Sequence, residues 1–243
     1  SRRRHTRCSR DWSSDVCSSD LDKILDWLRR GETFATFFVV GEILESNPEV
    51  LDKITENGHE IAFHTMHHDR LDVLTEDDFV VELKRFSELT NKKSKGFRAP
   101  TFSLNHNTKW AINALAENNY LYDSSIVSVK TRLYGVPNAD TKPYKISADK
   151  IEQNDPGAKV MEFPLMITKF LGKKMPAGGG FYLRFLPLRT VEKAIKQYEC
   201  ESKPATFYIH SWELTPEYMP KIALSYSDNF ITYHNLAKAM PKM

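Results

Sequence analysis

The feature that most constrains the fold is a regular alternation of helical and extended patterns after residue 20. Apolar runs rich in β-branched and aromatic residues are interleaved with helical periodicity. The extended runs cover residues 33–40, 60–64, 96–100 and 120–124, and the helical ones cover residues 21–28, 49–57, 75–91 and 107–118. Such alternation is typical of parallel strands joined by crossover helices. It predicts an α/β fold with at least four β/α units.

The second half of the chain is less regular. Periodicity fails over residues 128–157 among Pro, Asn, Asp and Lys, which predicts an irregular surface insertion. A strand at residues 160–166, a helix at 188–201, a strand at 205–212 and a last helix at 231–240 are then predicted. A chain of 243 residues, 41% of them hydrophobic, is long enough for one α/β barrel domain or two small ones.

Residues 1–20 differ in composition from the rest. They are rich in Ser, Arg, Asp and Cys and show no apolar period, and the run at residues 15–21 resembles the translation of a sequencing adapter. We therefore predict a non-native or disordered segment at residues 1–20 and a folded domain at residues 21–243.

Charge and cysteine content exclude several classes of protein. The net charge is only +2, and five arginines lie in the first ten residues, so nothing predicts a nucleic-acid partner. Three cysteines without metal-ligand spacing argue against a disulfide framework or a cysteine metal site. No apolar run approaches the roughly 18 residues that a transmembrane helix needs. We expect a cytoplasmic chain by default, leave an export signal open, and predict no particular oligomeric state.

The sharpest local signal is the segment HTMHH at residues 64–68, where a predicted strand ends. Active sites of parallel α/β folds lie at the carboxyl ends of strands, and two imidazoles four residues apart can bind one divalent ion. His64 and His68 are the natural pair, with His67 as a weaker substitute. Two solvated histidines are an equally acceptable reading of this segment alone. His59 precedes a strand and is more readily structural.

Three more polar side chains follow predicted strands. Arg98 is placed to pair with a carboxylate in the cavity. Asp123 is a carboxylate at a strand end, although Asp followed by two serines is also good turn chemistry. His210 has the titration range that suits a general acid, and Trp212 could form a cavity wall or a sugar-stacking surface. A hydrogen-bonded core histidine is the alternative for His210.

Together these motifs resemble, in order and approximate spacing, the polysaccharide deacetylase (NodB homology, carbohydrate esterase 4-like) family. The resemblance is closest to the subgroup linked to exopolysaccharide loci, and it covers residues 21–243. The motifs that carry it lie at residues 36–41, 58–61, 97–103, 122–126, 178–187 and 208–213.

The resemblance implies a distorted (β/α) barrel of about seven parallel strands. It also implies one divalent metal, usually zinc, held by two histidines and an aspartate, and an enzyme that removes N-acetyl groups from a polysaccharide or oligosaccharide. Carried onto this chain, it makes His64 and His68 the metal ligands and His210 the general acid. Arg98 would orient the catalytic base, and Asp123 would orient His210.

Two substrate-binding residues are also implied. Trp212 would line the groove, and Thr101 would offer a backbone N–H to the oxyanion.

One family motif is missing. An Asp-Asp type motif at the end of the first strand supplies the base and the third metal ligand in the family, and no apolar strand precedes Asp11, Asp15 or Asp20 here. We therefore predict that the first strand of the family fold is absent from this chain and that the chain is inactive. Two alternatives remain: an allantoinase-like hydrolase of a small amide or imide, and a non-catalytic barrel that binds glycan near Trp212, Phe181 and Tyr182.

Overall fold

The computed structural model describes residues 14–218 and 223–243. Its helices are α1 Ser14–Arg30, α2 Gly41–Ser46, α3 Glu49–Glu56, α4 Glu76–Leu89, α5 Trp110–Glu117, α6 Gly180–Phe185, α7 Leu188–Cys200, α8 Ser211–Leu214, α9 Tyr226–Tyr233 and α10 Ala239–Lys242. Its strands are β1 Thr36–Val39, β2 Glu60–Phe63, β3 Gly96–Phe97, β4 Tyr122–Asp123, β5 Tyr144–Ile146, β6 Val160–Glu162, β7 Ile167–Phe170 and β8 Lys173–Pro176.

Six strands form one sheet in the order β1-β2-β3-β4-β6-β5. Every neighbouring pair is parallel except β5 and β6, which are antiparallel. Isolated parallel bridges join Leu165 to Thr206 and Gly179 to Tyr208, so residues 206–208 continue the strand layer. The predicted α/β class with a mostly parallel sheet is confirmed. In the described residues the sheet does not close into a barrel.

The main core lies between this sheet and the helices that connect its strands. The ring of Phe63 on β2 contacts those of Phe86 and Phe97, with centroids 4.6 Å and 5.6 Å apart, and all three side chains are fully buried. Helix α4 begins where the Thr75 hydroxyl accepts the Asp78 N–H at 3.2 Å, which is the usual N-cap arrangement. The core therefore fixes the ends of β1 to β4 along one edge.

Helix α1 begins earlier than predicted. It starts at Ser14, and both Asp20 and Leu21 are buried, so the boundary that we placed after residue 20 is not a structural one. The part of that prediction that concerns residues 1–13 lies outside the described residues. Within the described residues no helix is long and apolar enough to cross a membrane.

The second half departs most from the sequence prediction. The insertion at residues 128–157 contains β5, which was missed because it is short and has the exposed Lys145 at its centre. The strand predicted at 160–166 ends at Glu162, and an unpredicted hairpin of β7 and β8 follows. The strand predicted at 205–212 is reduced to the two isolated bridges before α8 begins. The predicted last helix is two helices, α9 and α10, with a turn between them.

Candidate active site

Three histidines, His64, His68 and His210, lie close enough to interact electrostatically near the carboxyl edge of the sheet. His64 and His68 follow β2, and their rings lie 5.0 Å apart, centroid to centroid. His210 immediately precedes α8, and its charge lowers the pKa of both His64 and His68. The structure thus brings together the two predicted ligands and the predicted acid.

The ring of His64 is held by the backbone. Its Nδ1 lies 2.6 Å from the carbonyl oxygen of Arg98, so Nδ1 carries the proton and donates it. Burial, followed by the nearby His68, lowers the pKa of His64 to about 3, so the ring is neutral at pH 7. A neutral imidazole with Nδ1 bonded to a carbonyl presents Nε2 as a ready metal ligand.

The loop that carries the second histidine has an unusual backbone. Thr65 and His68 both have φ of 58°, in the left-handed region that non-glycine residues rarely adopt. Such conformations concentrate at functional sites, where the surrounding structure holds them in place. Burial, followed by the charge of His210, lowers the pKa of His68, which favours its neutral form.

The neighbouring histidines are engaged elsewhere. Nδ1 of His67 lies 3.1 Å from Glu42 on the exposed side of the loop, which favours His68 over His67 as the second ligand. His59 packs its ring against Phe37, with centroids 5.4 Å apart, and its Nδ1 accepts the Ala35 N–H at 3.4 Å. These contacts agree with a structural role for His59.

Arg98 is buried, as a cavity residue should be, but its hydrogen bonds differ from those predicted. Its Nε donates to the carbonyl oxygen of Ser124 at 2.8 Å and its Nη2 to the Ser124 hydroxyl at 2.7 Å. The guanidinium lies 4.1 Å from the centroid of the Phe38 ring, a cation–π distance. Burial lowers the pKa of Arg98 to about 10, so the group stays cationic at neutral pH. Its hydrogen bonds go to Ser124 and not to a carboxylate.

Asp123 belongs to a buried pair of carboxyl groups that sequence reasoning missed. It faces Glu162 on the adjacent strand, and both residues are fully buried. Asp123 accepts from the Ser125 hydroxyl at 2.6 Å, and Glu162 accepts from the Ile126 N–H at 3.0 Å. Their remaining oxygens, Oδ2 of Asp123 and Oε2 of Glu162, have no hydrogen-bond partner among the described residues. Burial and mutual repulsion raise the pKa of Glu162 well above its ordinary value, so this pair shares one proton.

The partner that we predicted for His210 is therefore wrong. Nδ1 of His210 lies 2.8 Å from a carboxylate oxygen of Glu213, and that oxygen also accepts the His210 backbone N–H at 3.1 Å. Asp123 instead accepts from the Ser125 hydroxyl and lies beside Glu162 in the sheet. Glu213 lies within the sequence motif that contains His210 and Trp212, so its motif was noticed but its role was not.

Trp212 and Thr101 lie at the rim of this region. The Trp212 ring stacks on the His210 ring with centroids 5.1 Å apart and an angle of 16° between planes. A cavity of about 230 Å³ adjoins both rings and is lined by aromatic side chains that include Tyr134, Tyr182 and Tyr208. Thr101 is half-buried in the loop after β3 and has φ of 54°. No hydrogen bond of the described residues assigns its backbone N–H to a ligand site.

The donor set fits a divalent ion only in part. His64 and His68 are two neutral imidazoles, and catalytic zinc sites usually use three protein ligands and a water. Within residues 14–218 and 223–243 no group of three or more His, Cys, Asp or Glu side chains could hold a metal ion. Of the predicted ligands, the described residues place His64 and His68 beside each other.

Two family models divide this chain between them. Residues 13–120 match the model for polysaccharide deacetylase, and residues 124–243 match a domain of unknown function, DUF3473. The boundary falls at residues 121–123, after the loop of Arg98 and before the region that contains Arg184 and Glu213. His64 and His68 therefore lie in the first region and His210 in the second.

Curated relatives match part of this chain. A peptidoglycan deacetylase-like protein, FGM2, from Gibberella zeae is 31% identical over 140 residues, which cover 54% of this chain and 40% of that protein. A peptidoglycan-N-acetylglucosamine deacetylase from Bacillus cereus is 32% identical over 137 residues, covering 54% of this chain and 44% of the enzyme. The chain thus spans less than half the length of these two relatives.

Solved structures show the same fold. An allantoinase, PuuE, has a TM-score of 0.54 with 17% identity, and the match covers 79% of this chain and 59% of the allantoinase. A Mycobacterium smegmatis structure assigned to the polysaccharide deacetylases has a TM-score of 0.50 with 22% identity, covering 79% of this chain and 64% of that one. At these identities the likeness concerns the fold alone. Residues 13–120 thus match the polysaccharide deacetylase family model, and the shared fold agrees with that match.

Proposed function

We propose that this chain is part of a metal-dependent N-deacetylase that removes acetyl groups from an N-acetylated polysaccharide. The observation that carries the proposal is the convergence of two neutral imidazoles, His64 and His68, with a third imidazole, His210, that is bonded to a buried carboxylate. The family match supports the deacetylase class. The histidine pair supports the divalent ion, which we take to be zinc.

In this proposal His64 and His68 would bind the ion through Nε2, and the ion would polarise the acetamide carbonyl and activate a water. His210 supplies the proton. When the C–N bond breaks, its electron pair stays on nitrogen, which takes a proton from Nε2 of His210. The ring is left neutral with its other proton on Nδ1, still bonded to Glu213. Trp212, stacked on His210, restricts the ring to one plane.

Arg98 has a supporting role in this proposal. Its buried positive charge lies between the Phe38 ring and Ser124, close behind the His64 loop. It would favour an anionic base in the cleft and repel a second cation. We propose that the base and the third ligand come from an aspartate motif beyond the described cluster. Without that motif, this chain should bind zinc weakly and should not deacetylate.

The test has a binding arm and a catalytic arm. Zinc is titrated into the chain by calorimetry, with and without an added N-terminal strand that carries an Asp-Asp motif. Acetate release from an N-acetylglucosamine oligosaccharide is measured with both proteins. We expect weak zinc binding and no acetate from the chain alone, and tight binding with measurable acetate release after the addition. Tight, stoichiometric zinc binding and acetate release by the chain alone would contradict the proposal that a third ligand and the base are missing from it.

A second arm tests the separate roles of the histidines. In the active form, His210→Ala should lower turnover by roughly 10²- to 10⁴-fold and leave the zinc content unchanged. His64→Ala should instead remove the zinc. Loss of zinc in the His210 variant would show that His210 is a ligand and not the acid.

A glycan-binding barrel without catalysis is the second candidate. The ligand count among the described residues favours it, together with the aromatic cavity beside Trp212. It predicts that the extended protein also fails to release acetate, while the oligosaccharide still binds and quenches Trp212 fluorescence.

A further inference from the structure

The proposed general acid, His210, is hydrogen-bonded to a buried ion pair of Glu213 and Arg184. One oxygen of Glu213 bonds to both the Nδ1 and the backbone N–H of His210, at 2.8 Å and 3.1 Å. The other oxygen accepts from Nε of Arg184 at 2.7 Å. The side chains of Glu213 and Arg184 are 0% and 1% exposed, so the pair is out of contact with solvent.

We propose that Glu213 is a positioning residue that fixes His210 with a proton on Nδ1, and that Arg184 holds Glu213 in place. The inference rests on the proposed role of His210 as the general acid. It assigns a role to two residues in the region that matches a domain of unknown function. That region would then supply both the acid and the apparatus that orients it.

The chemistry of the contact dictates which nitrogen reacts. Burial alone would raise the pKa of Glu213, but the hydrogen bond and charge of His210, and then the charge of Arg184, bring it below the ordinary value. Glu213 is therefore an ionised carboxylate, which can only accept hydrogen bonds. Nδ1 of His210 must carry a hydrogen to satisfy it. The proton that His210 gives away consequently leaves from Nε2.

Arg184 is itself locked by the C-terminal part of the chain. Its Nη2 donates to the carbonyl oxygen of Ile231 at 3.0 Å, and its Nη1 donates to those of Thr232 at 3.3 Å and His234. These carbonyls lie at the end of α9, where the helix dipole places partial negative charge. The guanidinium thus has one carboxylate and one helix end as partners, and its orientation is fixed on both sides.

A reciprocal contact ties the helix of Arg184 to the end of the chain. Nζ of Lys242 donates to the carbonyl oxygens of Leu183, Arg184 and Leu186, at 2.8 Å, 3.2 Å and 2.7 Å. These carbonyls close the C-terminal end of α6. Residues 226–243 therefore support Glu213 from behind.

The test reads the tautomer of His210 and needs no activity. The protein is labelled with ¹⁵N-histidine, its long-range ¹H–¹⁵N spectrum is recorded without added zinc, and the His210 signals are assigned with His210→Gln. We expect the neutral ring of the unsubstituted protein to be in the Nδ1–H form. Glu213→Met with Arg184→Met removes both buried charges together, and it also removes the acceptor of the Nδ1 proton. Folded proteins tolerate the loss of both charges better than the loss of one. In this double variant the signals should shift toward the Nε2–H form.

Matched controls separate orientation from folding. Glu152→Gln alters another glutamate paired with a histidine, the exposed contact with His106 at 3.2 Å, and should leave the His210 signals unchanged. Arg184→Met alone should be less stable to urea than the double variant, because it leaves a buried carboxylate unpaired. A folded double variant with an unchanged Nδ1–H pattern would overturn the proposal. Failure of the proposed function would show differently, as absent acetate release with the tautomer shift intact.

Discussion

The shared proton of Asp123 and Glu162 leads to a specific prediction for Glu162→Gln. Glutamine has the shape of a protonated glutamate, so its Oε1 can still accept the Ile126 N–H while its amide donates to Asp123. The native pKa of Glu162 is raised well above the ordinary value of 4.5, mainly by burial and then by Asp123. The native state therefore retains a proton that the unfolded chain loses near pH 4.5.

The direction and size of the effect on the free energy of unfolding follow from the linkage between proton binding and folding. Stability that depends on this proton is fully present below pH 4.5 and is lost as the pH rises toward the native pKa. The slope is about 1.4 kcal/mol per pH unit while one proton distinguishes the two states. Glu162→Gln should remove this slope and become progressively more stable than the unsubstituted protein as the pH rises above 4.5 toward the native pKa of Glu162.

Urea unfolding at half-unit pH steps measures this difference. Glu88→Gln, on the exposed side of α4, is the matched control and should run parallel to the unsubstituted protein. Parallel curves for Glu162→Gln as well would refute the shared proton.

Three further substitutions test the fold that supports the site. Gly96→Ala should destabilise by roughly 1–3 kcal/mol in urea unfolding, because a Cβ would lie 2.0 Å from Cζ of the Tyr122 ring. A neutral result would show that the ring can move aside. Thr75→Ala should cost about 1 kcal/mol by thermal unfolding, since it removes the N-cap bond to Asp78. Leu83→Ala, at a fully buried position of α4, should cost about 2–5 kcal/mol, and a smaller loss would mean that the core repacks.

The first half of the fold could be predicted because burial of apolar side chains dominates its structure. Strands β1 to β3 contribute Val39, Phe63 and Phe97 to the core and alternate with amphipathic helices, so periodicity alone places these strands and helices α3 to α5 within a few residues. The histidine segment could be located because His64 follows directly on β2. The end of a strand can be recognised in the sequence, because the apolar run stops there.

The second half could not be predicted in the same way because its elements are short and are set by tertiary contacts. Residues 206–208 are held by glycines that let backbones approach: a Cβ on Gly179 would lie 1.6 Å from the carbonyl oxygen of Tyr208. The partner of His210 was missed for a related reason. Glu213 is three residues away on the first turn of α8, a relation that exists only once the turn forms. Asp123 was the more conspicuous carboxylate, but its register places it against Glu162.

The hairpin of β7 and β8 gives the last prediction. Its two-residue turn, Leu171 and Gly172, has positive φ at both positions, 49° and 78°. That pattern belongs to the type I′ turn, which strongly favours Asn-Gly, and with Leu at the first position the segment lacks the usual hairpin motif. Leu171 is 87% exposed, so little packing compensates for its left-handed backbone. Leu171→Asn should therefore stabilise the protein by about 1 kcal/mol in urea unfolding. Leu171→Ala has no side-chain amide to hydrogen-bond locally in the left-handed conformation and should gain nothing. Loss of stability in the Asn variant would mean that the leucine side chain makes a contact that its exposure does not show.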